Sequence, residues 1–267
     1  MLVVRYTGGI GNQLFQYALQ IVLSYLYPET TVKADISFYR LLDEHQGFTV
    51  DKWFQADIEK ADTHEINQFC CALAVKPWVR LLPANIRRYI AFHAGRFMQI
   101  KEKTAKPHRK GHVISVNEPY IFQELLFHLN TNQSWYICGL WQNWQYFAGY
   151  EKLLKKAMRF KLSYGEQEKR IKKKIKESRC AVSIHIRRGD FVKSSLDICN
   201  KKYYEKAMQY IRSKKEDITW FVFSDDVKSV QRLFPNQKCI FASGGERYAI
   251  YDMMLMSECD CNIISNS

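Results

Sequence analysis

Apolar side chains along this chain fall into two periods, and the order in which those periods alternate predicts most of the architecture. Leu2 to Tyr6 form a short apolar run, after which positions 14, 15, 18, 19, 22, 25 and 26 are apolar at helical spacing over Asn12 to Tyr27. TTVKADI then reads as a second strand near Asp35, so the opening predicts a βαβ unit. Residues 40 to 134 mix aromatic, basic and apolar positions without an ordered motif and support helices only coarsely. SWYICGL, 134 to 140, reads as a strand, and Glu151 to Lys161 and Gln167 to Glu177 as helices.

From Cys180 the alternation becomes regular. CAVSIHI, TWFVF, KCIFA and CNII read as strands, separated by helices over Lys202 to Lys215, Val227 to Phe234 and, with capping-box spacing at Ser243 and Glu246, a third running to about Glu258. Strands and helices alternating with short connections predict a parallel sheet covered by helices. Ligands bind such sheets outside the carboxyl ends of the strands. The segments leaving those ends are RRGD (187 to 190), SDD (224 to 226), SGGE (243 to 246) and SNS (265 to 267), which places anion-handling chemistry along one rim.

Composition narrows the class. The 267 residues are 47% hydrophobic with 12 Gly and 6 Pro, enough to fill a core and unlike a disordered chain. No run approaches the ~18 apolar residues of a membrane span, and the amino terminus lacks the pattern of an export signal, so the expected location is the cytoplasm. The eight cysteines have irregular spacings and read as reduced thiols rather than metal ligands. Forty basic against 27 acidic residues give a net charge of +13. Twelve basic against four acidic residues between Glu151 and Arg179 make that stretch the evident source of the excess. Its main reading is a solvated face. Peripheral attraction to an anionic inner-membrane leaflet is the functional alternative, and the stacking signature of a nucleic-acid-binding module is absent.

Four motifs carry candidate chemistry. In HIRRGD, arginines leaving a strand can aim a planar guanidinium at phosphate oxygens, the geometry that pairs bidentately; the bland alternative is a surface salt bridge with Asp190. Its RGD tripeptide reads as coincidence. GGIGNQ, residues 8 to 13, turns a strand into a helix and exposes backbone donors at the helix start, with the Asn12 amide beside them. It superficially resembles a dinucleotide fingerprint with Asp35 as the ribose acid. However, Leu14 stands where the third glycine of that pattern belongs, which weighs against an NAD-dependent oxidoreductase. Asp225 and Asp226 suit hydrogen bonding to a ribose or base, or the stabilisation of a helix start, better than metal binding, since no DxD occurs. GLWQNWQYF, 139 to 147, offers flat aromatic faces beside amides, suited to a sugar ring; Trp141 and Gln142, with Asp35, are the acceptor-side candidates, and core packing is the alternative.

Taken in order, GGIGNQLFQYA, HIRRGD, FVFSDD and MMLMSECDCNIISNS resemble the alpha-1,2-fucosyltransferases of glycosyltransferase family 11. The resemblance touches both ends of the chain, with little from 40 to 130. It implies an inverting enzyme that moves L-fucose from GDP-fucose to a glycan hydroxyl, expected to be the 2-hydroxyl of galactose, with no metal and no further cofactor. The implied fold is α/β, two Rossmann-like domains in a GT-B-like arrangement with a nucleotide cleft between them. The corresponding boundaries are an acceptor-side domain at 1–150, a basic helical connector at 151–179 and a GDP-fucose-binding domain at 180–267. By position, Arg187 would clamp the diphosphate. Arg188, Gly9, Gly11, Asn12, Ser224, Asp225, Asp226, Asn266 and Ser267 would hold the donor, and His185, Asp190 and Asp35 are candidates for the base. Relatives continue past the final NS, so the resemblance implies a carboxyl end shorter than theirs.

Overall fold

The computed structural model describes residues 1–41, 46–69, 77–87, 89, 107–108, 111–115, 128–188, 198–232, 238–243 and 249–266. The chain divides into two compact units, Met1–Lys161 and Leu162–Ser267. The boundary falls inside the basic stretch 151–179, and the helices on either side of it belong to different units.

In the first unit, strands β1 (Leu2–Arg5), β2 (Val32–Asp35), β3 (Pro107–His108), β4 (Gly111–Ser115) and β5 (Ser134–Cys138) form one sheet in the order β2-β1-β5-β4-β3. All pairings are parallel except β3 with β4. Helix α1 (Ile10–Leu26) packs on β1 and β2 and buries Leu19, Val22 and Leu23, while Val3 and Tyr136 point to the other face and join Ala61, Ile66 and Phe69. Helix α2 (Glu151–Ala157) closes the unit.

The second unit is a four-stranded parallel sheet ordered β8-β7-β6-β9, from β6 (Cys180–Ile186), β7 (Ile218–Ser224), β8 (Cys239–Phe241) and β9 (Cys261–Ile263). Its helices are α3 (Glu166–Glu177), α4 (Lys201–Arg212), α5 (Val227–Gln231) and α6 (Ala249–Met256). Successive strand residues face opposite sides, and both sides are covered. Cys180, Val182, Ile184, Trp220 and Val222 pack with Tyr204 and Met208 of α4. Ala181, Phe221 and Phe223 pack with Ile171 and Ile175 of α3 and Leu255 of α6. A strand buried on both faces needs apolar residues at every position rather than alternate ones, which is why CAVSIHI and ITWFVFS are nearly continuous apolar runs. Among the described residues no helix is long and apolar enough to cross a membrane. The six described cysteines are free thiols, whereas Cys70 and Cys71 lie outside the described residues.

Candidate active site

Strand order locates the place where a ligand can enter the second sheet. From β6 the chain moves outward through β7 to β8, then returns to the opposite side of β6 to form β9. Crossovers leaving neighbouring strands in opposite directions open a crevice at their carboxyl ends. The residues leaving β6 and β9 there are Arg187, Arg188, Ser265 and Asn266, with Asp225 and Asp226 leaving the adjacent β7.

Hydrogen bonds fix this rim. Arg187 Nε lies 3.2 Å from Asp225 Oδ2, with the two side chains 36% and 27% exposed. The other oxygen of Asp225 accepts from the backbone N–H of Arg188 at 2.7 Å. One carboxylate therefore holds both members of the arginine pair, and its role on the described geometry is to orient the guanidinium. Asp226 caps α5: its carboxylate accepts from Ser229 N at 3.1 Å and Ser229 Oγ at 2.5 Å. The Ser229 hydrogen bonds hold its carboxyl below the usual carboxylate range. Ser224 Oγ accepts from Asp226 N at 3.1 Å, Ser224 N donates to Ser243 Oγ at 3.0 Å, and the Ser243 hydroxyl donates to Asp252 on α6. Ser224 and Asp226 are thus engaged in shaping the β7 exit. Asp252, which carries this line of bonds downward, has no sequence signal beyond its place in an otherwise apolar helix.

His185 faces the α3 and α6 side of β6, and its Nδ1 is 2.8 Å from Ser265 Oγ, a bond that spans β6 and β9. Burial lowers its pKa from the ordinary value, opposed by Asp252 and Asp225, so the ring is neutral near pH 7. Asp190 and Ser267 lie outside the described residues.

The first unit has an analogous rim where β1 and β5 end. Gly8 takes a left-handed φ of +75°, and a side chain there would meet the Asn12 side chain, with Nδ2 at 2.1 Å. Glycine lets Asn12 fold back over the turn, where its Oδ1 accepts from Gln142 Nε2 at 2.5 Å. Gly9 is the N-cap residue of α1, and a Cβ at Gly11 would meet nothing within 4 Å.

Three buried glutamines on α1, spaced i, i+3, i+7, fasten this rim from below. Gln13 Nε2 donates to Gly8 O at 3.1 Å and Gly47 O at 2.9 Å, and its Oε1 accepts from Thr49 N at 2.9 Å. Gln16 accepts from Thr7 N at 3.0 Å and donates to Gly139 O at 3.1 Å, bridging the ends of β1 and β5. Gln20 accepts from Tyr6 Oη at 2.6 Å and donates to Val32 O at 3.1 Å. Sequence reasoning passed over them; their signal was three amides on a helix face whose neighbours are apolar.

Two acceptor-side expectations are corrected. Asp35 is fully buried: Ser37 N donates to one oxygen at 2.7 Å and the Tyr136 hydroxyl donates to the other, so it anchors the β2 exit and has no free face for a substrate. Trp141 is 3% exposed and meets Tyr146 edge-on, which leaves its ring inside the fold. Within the same segment it is Trp144, 69% exposed, whose ring meets solvent.

Comparison with known proteins accords with this architecture. The model of glycosyl transferase family 11 matches residues 115–267. An alpha-1,2-colitosyltransferase of Escherichia coli is 26% identical over 278 residues, covering 100% of this chain and 84% of that protein. The O-antigen biosynthesis glycosyltransferase WbnK of Escherichia coli is 39% identical over 103 residues, which is 36% of this chain and 34% of that protein. Among solved structures, fucosyltransferase NodZ from Bradyrhizobium matches with a TM-score of 0.50 at 12% identity, covering 98% of this chain and 87% of that one, a likeness of fold.

Proposed function

The chain belongs to glycosyl transferase family 11, and on that footing we propose that it moves a 6-deoxy-L-sugar from its GDP conjugate to the 2-hydroxyl of a galactose-ended glycan, with inversion. L-Fucose is the first reading of the donor. Colitose, which is L-fucose without the 3-hydroxyl, is the second, favoured by the whole-length likeness to the colitosyltransferase.

The observation that carries this reading is the oriented Arg187 at the crevice between β6 and β9. As the bond from the anomeric carbon to the β-phosphate oxygen breaks, negative charge gathers on the departing diphosphate. A guanidinium already held by Asp225 stabilises that charge without reorganising, more in the transition state than in the ground state. The acceptor oxygen bonds to the opposite face of the same carbon and releases its proton. Of the groups considered for that proton, Asp35 is committed inside the first unit, which leaves the neutral His185 and Asp190. Charge on the leaving group, rather than proton removal, is the part of the reaction this rim is built to handle. Asn12 and Gln142 on the first rim are assigned to sugar hydroxyls, with Trp144 as the stacking face.

The test is incubation of the protein with GDP-fucose or GDP-colitose and a panel of galactosides, followed by linkage mapping. We expect transfer to a 2-hydroxyl, sustained in excess chelator because arginine supplies the positive charge. Hydrolysis without transfer on every galactoside, or a rate that returns only on adding a divalent ion, would overturn it. A parallel titration with GDP, NAD and short RNA should show binding to GDP alone.

A further inference from the structure

The excess positive charge is not confined to 151–179. Residues 76 to 110 hold ten basic residues against one acidic, a net +9. At the start of that stretch the structure leaves large apolar side chains in solvent. Pro77–Leu81 is a 3-10 turn pinned by Val79, which is buried, so that its neighbours Trp78, Arg80 and Leu81 face outward. The chain turns again at Pro83, whose carbonyl accepts from Ile86 N and Arg87 N at 3.0 Å. Trp78, Leu81, Ile86 and Tyr89 are all exposed, Leu81 at 85%. Exposed apolar residues scattered singly need no explanation, but four within twelve residues, interleaved with arginines, are a surface with a preference.

We propose that this segment docks the protein on an anionic lipid bilayer, with Leu81 and Ile86 entering the acyl boundary, Trp78 and Tyr89 at the headgroup level and Arg80 among the phosphates. Each side chain suits its layer: aliphatic groups gain from leaving water, and tryptophan and tyrosine pair an apolar body with a polar tip. The charge of the described surface is complementary, since Arg80 is exposed between Trp78 and Leu81 and each basic residue near an anionic surface strengthens binding roughly fivefold. The 151–179 stretch, the expected membrane-facing element, lacks the apolar half of this arrangement. Ile171 and Ile175 of α3 point into the core, and no large apolar side chain is exposed among its described residues. A bilayer fits better than a nucleic acid, because aliphatic Leu81 and Ile86 have no base-stacking function.

The test is co-sedimentation of the full chain with phosphatidylglycerol-containing vesicles and with pure phosphatidylcholine vesicles, beside an RNA-binding control. Wild type should sediment with the anionic vesicles. Leu81→Ser combined with Ile86→Ser should weaken this at least about tenfold with thermal melting unchanged. Lys173→Ser with Lys174→Ser on α3 should weaken it far less. The proposal is overturned if the protein ignores phosphatidylglycerol vesicles, if the Leu81/Ile86 variant binds like wild type, or if RNA is bound and vesicles are not.

Discussion

Replacing Asp225 by alanine separates two roles that a rim carboxylate can have, namely holding the nucleotide itself and holding the arginine that does. The substitution removes a partly exposed ion pair at 3.2 Å and a hydrogen bond from Arg188 N at 2.7 Å. Exposed pairs contribute about 0.2–1 kcal/mol. A backbone N–H bonded to a carboxylate contributes no more than about 1.5–3 kcal/mol, and solvent reduces that here. The stability cost should therefore be about 1–2 kcal/mol, too little to unfold a domain. The kinetic cost should be larger. A guanidinium released from its tether is misplaced by ~1 Å or more, which is worth up to about a hundredfold in rate, near the hundredfold or more expected for losing Arg187 outright. Steady-state transfer kinetics on Asp225→Ala, Arg187→Ala and the double variant read this directly. Because the two side chains act as one unit, the double variant should be no slower than Arg187→Ala alone. A double variant slowed by the product of the two single effects would show that Asp225 acts on the substrate independently. An Asp225→Ala enzyme at full rate would refute the positioning argument altogether.

Gly8→Ala forces a side chain onto Asn12 at positive φ and should cost about 1 kcal/mol or more in a denaturant melt. Gly11→Ala, which meets no protein atom within 4 Å, should leave stability unchanged or improved, so any loss of transfer there reports a ligand on that face. Trp141→Ala empties a buried site and should destabilise by about 3–5 kcal/mol. Trp144→Ala should melt like wild type and raise the acceptor KM with kcat little changed; an unaltered KM would remove Trp144 from the acceptor site. His185 has a folded pKa below its unfolded value, so between the two the unfolded chain binds more protons. Its contribution is complete above its ordinary value, near 6.5, and falls as pH drops through the window below it. His185→Gln should flatten that part of a melting-temperature profile against pH.

The second unit was legible because its strands are buried on both faces. Continuous apolar runs broken by helical periods have one economical reading, and all four strand assignments lie within a residue or two of the observed ends. The rim followed from topology, which needs only strand order. What sequence could not supply was the partnership of polar side chains. Asp225 and Asp226 are adjacent and chemically identical, yet one orients an arginine and the other caps a helix, a difference set by which backbone amides lie within reach. Trp141 and Trp144 are three residues apart on a bend, and the positive φ of Trp141 turns one inward while the other stays in solvent. The pairing of β4 between β3 and β5 had no signal, because the stretch around it is mixed in period throughout.

Most of the glutamine bonds along α1 end on main-chain atoms, namely Gly8 O, Gly47 O, Thr49 N, Thr7 N, Gly139 O and Val32 O, with the hydroxyls of Tyr6, Thr7 and Thr49 adding the rest. Main-chain atoms are the same whatever residue supplies them. The course of the loops around the first rim is thus secured largely without reference to their side chains. Those side chains are left free to diversify, so that one scaffold can be re-tuned toward different glycans by substitutions that leave its framework untouched.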